Sequence, residues 1–478
     1  MRHQRNKKQI KTDAMRILIT EEALQSGTGH WPSYIGDIAA ALRSSGDDVD
    51  VATHRAATGN VLTRVGGTPW FSRNCWVDPR SQGGVGGILH NFGFKKEVLS
   101  WLAGHAPYDW ICALTMRLQH LLAFALLARS GAVPKKTRFF LLFVQGFGRY
   151  AGHGKPTEFP ESLSTKLARF SFSLMSGSVQ SGRVILAAET KGMQDELQRF
   201  TGLPVTLAPH PVEFQLSRES RDASRDGRSE PELQSDSSFR SQVGLPGRYS
   251  VSVASGLDFD PSSSPSVHPV HPVAASGSGS RPSTLDPRPS TQPITFTITC
   301  PGFARHEKGT DLFQEAIRIL LARPDADDFR FVLQWPEPFA MPDGTMLGPD
   351  PSLVEDPRVE FLNQNLNSEE YASLLARTDL IVLPYRRKSY HHRVSRVAIE
   401  AEKMGIPIIY TEGTWSGEVA DLSGCGVQIA EERPDSVADA IVKAVAEFPF
   451  LKEKARNGAA SVSAFHSVAT LRKILQNE

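Results

Sequence analysis

The chain has 478 residues, too many for a single core and enough for two to three domains at roughly 100–200 residues each. Hydrophobic residues make up 40% and charged residues 22%, a globular balance that excludes whole-chain disorder. Lys and Arg number 53 against 52 Asp and Glu, and the four cysteines (Cys75, Cys112, Cys300, Cys425) share no short spacing, so nothing supports a general nucleic-acid binder, a disulfide-stapled scaffold or a zinc knuckle.

Residues 1–14 read as a basic leader. Arg2, Arg5, Lys7, Lys8 and Lys11 are not followed by the apolar run of a signal peptide. A solvated tail is the plainer reading, a membrane-surface contact the other. A strand follows at 16–20, then a loop, Gly27-Thr28-Gly29-His30, then a helix with Ile35, Ile38, Ala39 and Leu42 at helical spacing. Further strands are predicted at 49–52, 110–114, 138–144, 183–188 and 205–208, with an apolar helix over 118–127. Gly83-Gly84-Val85-Gly86-Gly87 reads as a loop, either a cleft flap or ordinary surface.

From 216 to 293, Ser and Pro account for 30 of 78 residues, too little apolar surface to offset the entropy of ordering. The second half resumes the alternation. Strands are predicted at 294–299, 329–334, 359–362, 380–383, 406–410 and 427–429, with helices over 311–321, 369–376, 394–403 and 437–448. Ser368 is the expected N-cap of the second of these helices. The expected organisation is a leader (1–14), an N-terminal Rossmann-like domain (15–213), a Ser/Pro-rich linker or insertion (214–293) and a C-terminal Rossmann-like domain (294–478). The fold class is α/β, two doubly wound Rossmann-like domains facing a cleft.

Two segments carry chemistry. After the strand ending at Cys300 comes Pro301-Gly302-Phe303-Ala304-Arg305-His306-Glu307-Lys308-Gly309, then a helix. Gly302 allows close backbone approach, and Arg305 and Lys308 put two cations at a strand end, where a diphosphate would sit; a solvated basic loop is the alternative. After the strand ending at Leu383-Pro384-Tyr385 comes a cationic loop (Arg386, Arg387, Lys388, His391, His392, Arg393), whose helix start offers N–H groups to an anion. Glu400, between Ile399 and Ala401, needs a partner, which ribose hydroxyls or a salt bridge would equally supply. His391-His392 has no third ligand within sequence reach, so no metal site is assigned.

The order Gly302…Arg305…Lys308-Gly309, Asp379-Leu380-Ile381-Val382-Leu383-Pro384, Glu400-Ala401 and Gly405-Ile406-Pro407 resembles retaining GT-B glycosyltransferases of the family 4 type. The resemblance covers most of the C-terminal half and implies a nucleotide-sugar site there. Arg305 and Lys308 match the family's diphosphate-neutralising pair, Glu400 its ribose-binding glutamate, and the stretch from Arg393 through Ser395 to Val397 its phosphate-facing backbone. Gly302 belongs to the same cradle. The resemblance also marks departures. His392 stands where the family has a glutamate at the donor sugar, and Gln145 where it often has a histidine. On the acceptor side it points to Gly27, Gly29 and His30, with Trp31 and Tyr34 able to stack on sugars. Glu418 is expected to cap or contact the donor.

The resulting expectation is a cytoplasmic hexosyltransferase of polysaccharide biosynthesis. It would move a sugar from a nucleotide-sugar donor to a glycan, lipid-linked or small-molecule acceptor, with retention, no cofactor, no metal and no nucleic-acid partner. The rival is a non-catalytic nucleotide-sugar-binding protein of the same fold.

Overall fold

The computed structural model describes residues 14–26, 31–81, 83–212, 295–324 and 328–477. The leader up to residue 13, the loop 27–30 and the Ser/Pro-rich segment lie outside the described residues.

The first lobe alternates β1 (Arg16–Glu21), α1 (Trp31–Ser44), β2 (Asp48–His54), α2 (Gly59–Val65), β3 (Gly67–Phe71), α3 (Gly83–Ala103), β4 (Trp110–Met116), α4 (Leu118–Arg129), β5 (Arg138–Phe143), α5 (Leu163–Gln180), β6 (Val184–Ala188), α6 (Lys191–Thr201) and β7 (Thr206–Leu207). The second contains β8 (Phe296–Cys300), α7 (Thr310–Leu321), β9 (Phe329–Gln334), β10 (Val359–Leu362), α8 (Ser368–Ala376), β11 (Leu380–Leu383), α9 (Arg396–Lys403), β12 (Ile408–Thr411), α10 (Ser416–Ser423), β13 (Val427–Ile429) and α11 (Pro434–Ala446). Then α12 (Phe448–Phe465) and α13 (Val468–Gln476) close the chain.

The two large sheets are parallel, beside a short antiparallel pair of Phe339–Ala340 with Met346–Leu347. The first runs β3-β2-β1-β4-β5-β6-β7, the second β10-β9-β8-β11-β12-β13. Each therefore reverses direction of growth once, between β1 and β4 and between β8 and β11. Ligands of doubly wound sheets bind outside the strand ends at that crevice. Helices cover both faces, so central strands are buried on both sides, as all seven residues of β4 and all four of β11 are. Alternate side chains divide between cores: Leu18 enters one cluster, while Ile17 and Ile19 enter another with Ile35 and Ile38.

The chain crosses between lobes a second time at its end. Val468, Leu471 and Leu475 of α13 pack into the first lobe's core beside Ile17 and Ile35. Arg472 Nε and Nη2 donate to Asp47 at 2.7 and 2.9 Å, a buried bidentate pair. At the crossing, Lys403 Nζ donates to the carbonyls of Val212 (2.6 Å) and His466 (3.0 Å). Burial holds the His466 imidazole down at about 3, so it stays neutral and accepts from His210 N–H at 3.2 Å.

Two local expectations are corrected, and one strand, β3, is additional to those predicted. Gly83–Gly87 opens a 21-residue helix rather than forming a loop. Tertiary contact overrides the poor helix propensity of glycine there: a Cβ on Gly86 would lie 2.8 Å from Arg80 O. β3 carries little apolar signal because Gly67 and Pro69 lie on a sheet edge, where proline is tolerated. The N-cap of α8 is Asn367, not Ser368. It completes a capping box with Glu370, accepting from Glu369 and Glu370 N–H while Glu370 accepts from Asn367 N–H. Among the described residues no helix is long and apolar enough to cross a membrane.

Candidate functional site

The crevice between β8 and β11 is framed by the two loops singled out above. Gly302 N–H donates to Gln334 Oε1 at 2.7 Å, fixing the turn out of β8. Arg305 N–H donates to Thr310 Oγ1 (3.2 Å), and residues 306–308 form one tight turn. Gly309 then adopts a left-handed conformation (φ 64°) directly against Pro384; any Cβ there would penetrate the Pro384 carbonyl. Arg386 N–H donates to Glu307 O at 2.9 Å, and Arg386 pairs with Asp311. The two loops thus form one framework.

Three cations project from it. Arg305 is 52% exposed and stands 3.7 Å from Glu307, which also lies 3.3 Å from Arg393. Arg393 covers the Tyr390 ring at 5.0 Å. Lys308 Nζ sits over the turn, where a Cβ on Gly302 would come within 2.6 Å of it. It makes no hydrogen bond or ion pair among the described residues. Burial, with Arg305 and Arg393 nearby, holds its ammonium down at about 8. The site therefore carries a cation that its surroundings disfavour, which an arriving anion would relieve.

Helix α9 points its start at the same crevice. Ser395 is its N-cap, accepting from Ala398 N–H at 3.3 Å and sharing a 3.2 Å hydrogen bond with Tyr385 OH. The N–H groups of Arg396 and Val397 have no hydrogen-bond partner among the described residues, so two donors and the helix dipole remain for a ligand. Glu400 is 3% exposed. Its Oε1 accepts from Arg396 Nε (2.7 Å) and its Oε2 from Tyr371 OH (2.9 Å), so protein groups already satisfy one lone pair on each oxygen.

His392 points elsewhere. Its Nε2 lies 3.3 Å from Glu196 of α6, and its ring fills the space a side chain at Gly192 would take. Glu196 Oε1 in turn accepts from Phe147 and Gly148 N–H, at 2.6 and 2.7 Å, in the loop after β5. Gln145, in that loop, is exposed and joined to neither 302–309 nor 392–400 by any hydrogen bond or ion pair among the described residues. Glu418 caps α6, accepting from Lys191 N–H (2.8 Å) and Gly192 N–H (3.3 Å). These contacts join the lobes on one side of the crevice. Tyr34 is not a sugar platform: it is 2% exposed, stacks on His210 and donates to Glu189 at 2.8 Å. Trp415 is likewise a core residue at 2% exposure. Gly27, Gly29 and His30 lie outside the described residues.

The structure thus gathers Gly302, Arg305, Lys308, Arg393, Ser395 and Val397 around one crevice, with Glu400 one turn deeper. Glu196, Tyr371 and Gln334 went unnoticed in the sequence, where no spacing links them to their partners, and Glu418, singled out there, caps α6.

Residues 295–447 match the family described as glycosyl transferases group 1. No curated protein sequence matches the chain. Among solved structures it is similar to a sucrose-phosphate synthase from Thermosynechococcus elongatus (12% identity, 97% of this chain and 98% of that one, TM-score 0.55). It is also similar to HepE from Anabaena in complex with UDP (13%, 97% and 99%, TM-score 0.56) and to a glycosyltransferase from Rickettsia africae (12%, 97% and 98%, TM-score 0.56). The Anabaena protein is also solved with UDP-glucose. At such identities the likeness is one of fold, the two-lobed GT-B fold.

Proposed function

We propose that the chain, whose residues 295–447 match the glycosyl transferases group 1 family, is a glycosyltransferase that transfers a hexose from a nucleotide-sugar to a glycan, lipid-linked or small-molecule acceptor, with retention and with no metal at the diphosphate. One observation carries the reading: Lys308, a disfavoured cation without an acidic partner among the described residues, faces the crevice beside the open start of α9. As the bond from sugar to phosphate breaks, its electron pair stays on the diphosphate. Lys308, Arg305 and the N–H groups of Arg396 and Val397 stabilise that growing charge without reorganising. Glu400, buried at the inner end of the same helix face, serves the ribose through its remaining lone pairs.

The test is a calorimetric and thermal-shift screen over UDP-, GDP- and ADP-sugars, followed by product analysis with candidate acceptors. Stabilisation by one nucleotide class together with transfer supports the reading. Absence of binding to all three refutes it. A second reading, a binder without turnover, is favoured by one observation: His392 is committed to Glu196 instead of the donor sugar. Binding with neither transfer nor donor hydrolysis would select it.

A further inference from the structure

The first lobe contains a cluster that neither the sequence motifs nor the crevice explains. Glu22 lies just past β1, Cys75 in the loop after β3, His90 in α3 and His120 in α4. Their relative exposures are 2%, 0%, 1% and 5%. One ligand atom from each falls within 4.8 Å of all the others. His90 Nε2 is 3.0 Å and His120 Nε2 3.1 Å from the two oxygens of Glu22. We propose that these four side chains are the ligands of a tetrahedral transition-metal site of zinc type.

The geometry argues for an ion rather than a hydrogen-bonded core. The two Nε2 atoms are close to carboxylate oxygens, yet neither makes a hydrogen bond of acceptable angle, and both are fully buried. Buried ring nitrogens are normally satisfied. Tetrahedral zinc, with bonds of about 2.0–2.3 Å, spaces its ligand atoms by roughly 3.3–3.8 Å, inside the range of this cluster. The donor set, one thiol, two imidazoles and one carboxylate, is of the soft and borderline character that zinc-type ions take. The surroundings are those of a metal ligand shell. Ser81 Oγ lies 2.8 Å from His90 Nδ1, holding the ring so that its Nε2 lone pair can face inward. Cys75 N–H donates to Glu22 Oε1 at 2.6 Å, orienting that carboxylate.

Four protein ligands and near-complete burial leave no open position, which makes the site structural rather than catalytic. It would pin the exit of β1, the β3–α3 loop, α3 and α4 to one point. His90 lies two turns into α3, so the ion also anchors the helix that opens on Gly83-Gly84. Sequence spacing hid the site: the nearest two ligands, Cys75 and His90, are fifteen residues apart, too far for a metal-ligand motif.

The test uses the full chain without a polyhistidine tag, purified in reductant without chelator. Elemental analysis is expected to give about one zinc per chain. After chelation and reconstitution with Co2+, the visible bands of tetrahedral cobalt and a near-ultraviolet thiolate charge-transfer band are expected. Chelation is expected to lower Tm by about 5 °C or more, restored by Zn2+. Cys75→Ser should abolish the charge-transfer band, and His120→Gln should cut the metal content. Less than about a tenth of an equivalent of metal together with no cobalt spectrum would overturn the proposal. So would a cobalt spectrum unchanged in both variants. The wild-type measurements decide the matter even if the variants fail to fold, and none of them depends on transfer activity.

Discussion

Replacing Lys308 by Met tests the diphosphate assignment through protons. In the unliganded protein burial, and then the Arg305 and Arg393 cations, hold the ammonium at about 8 against an ordinary 10.5. That gap corresponds to about 3 kcal/mol against the charged form. A bound diphosphate favours the charged form, so binding above pH 8 must first recruit a proton. Affinity for a UDP-sugar is therefore expected to weaken about tenfold between pH 7 and pH 9, by calorimetric titration. The unliganded protein should behave oppositely. Between about pH 8 and 10.5 the unfolded lysine binds more protons than the folded one, so this group makes the fold more stable as pH rises through that window. In Lys308→Met both slopes attributable to this group should vanish. The pH 7 affinity should drop by roughly 10–100-fold, the loss of one charge-assisted contact. A wild-type Kd that stays flat from pH 7 to 9, or a variant that matches wild type at pH 7, would refute the assignment.

Arg305→Ala should reduce kcat by about a hundredfold with a smaller effect on donor affinity, because the charge it meets is greatest in the transition state; unchanged kcat in steady-state assays would remove it from that role. Gly309→Ala forces a side chain into Pro384 in a left-handed conformation and should cost about 2–4 kcal/mol, read as a clearly lower Tm. A Tm equal to wild type would mean that the two loops do not touch as described. Arg472→Met leaves Asp47 charged and buried, and should cost about 3–5 kcal/mol in denaturant unfolding. Adding Asp47→Asn should recover much of that loss, and a single-variant cost near zero would contradict the buried pair.

Much of the second lobe was legible because its signals are local. β11 ends where its apolar run ends, since a strand covered on both faces reads as one uninterrupted stretch, and β9, β10 and β13 keep enough apolar residues to be read although Arg330, Glu360 and Gln428 interrupt them. The loops holding Gly302, Arg305, Lys308 and Ser395 follow two of its strands directly, so chain order alone put them at the strand ends. The first lobe was harder. β3 lacks an apolar run, and 83–103 combines glycines with a helix whose reason for existing lies in what packs on it. Contacts across long separations left no trace in spacing. His392 meets Glu196, Glu418 meets the start of α6, and Glu22 meets Cys75 only once both sheets are built. His392 is instructive: the resemblance placed it at the donor sugar, but its ring is held against the opposite lobe.

The return of α13 to the first lobe has a practical consequence for dissecting this protein. A fragment ending near residue 212 would be missing one wall of its own interior, the strip supplied by Val468, Leu471 and Leu475, and would leave Asp47 without its guanidinium. Lobe-by-lobe expression should therefore yield an insoluble first half unless the last ten or so residues are grafted back or added as a peptide. By the same logic, clipping the carboxyl end will damage the half of the molecule most distant from it in sequence.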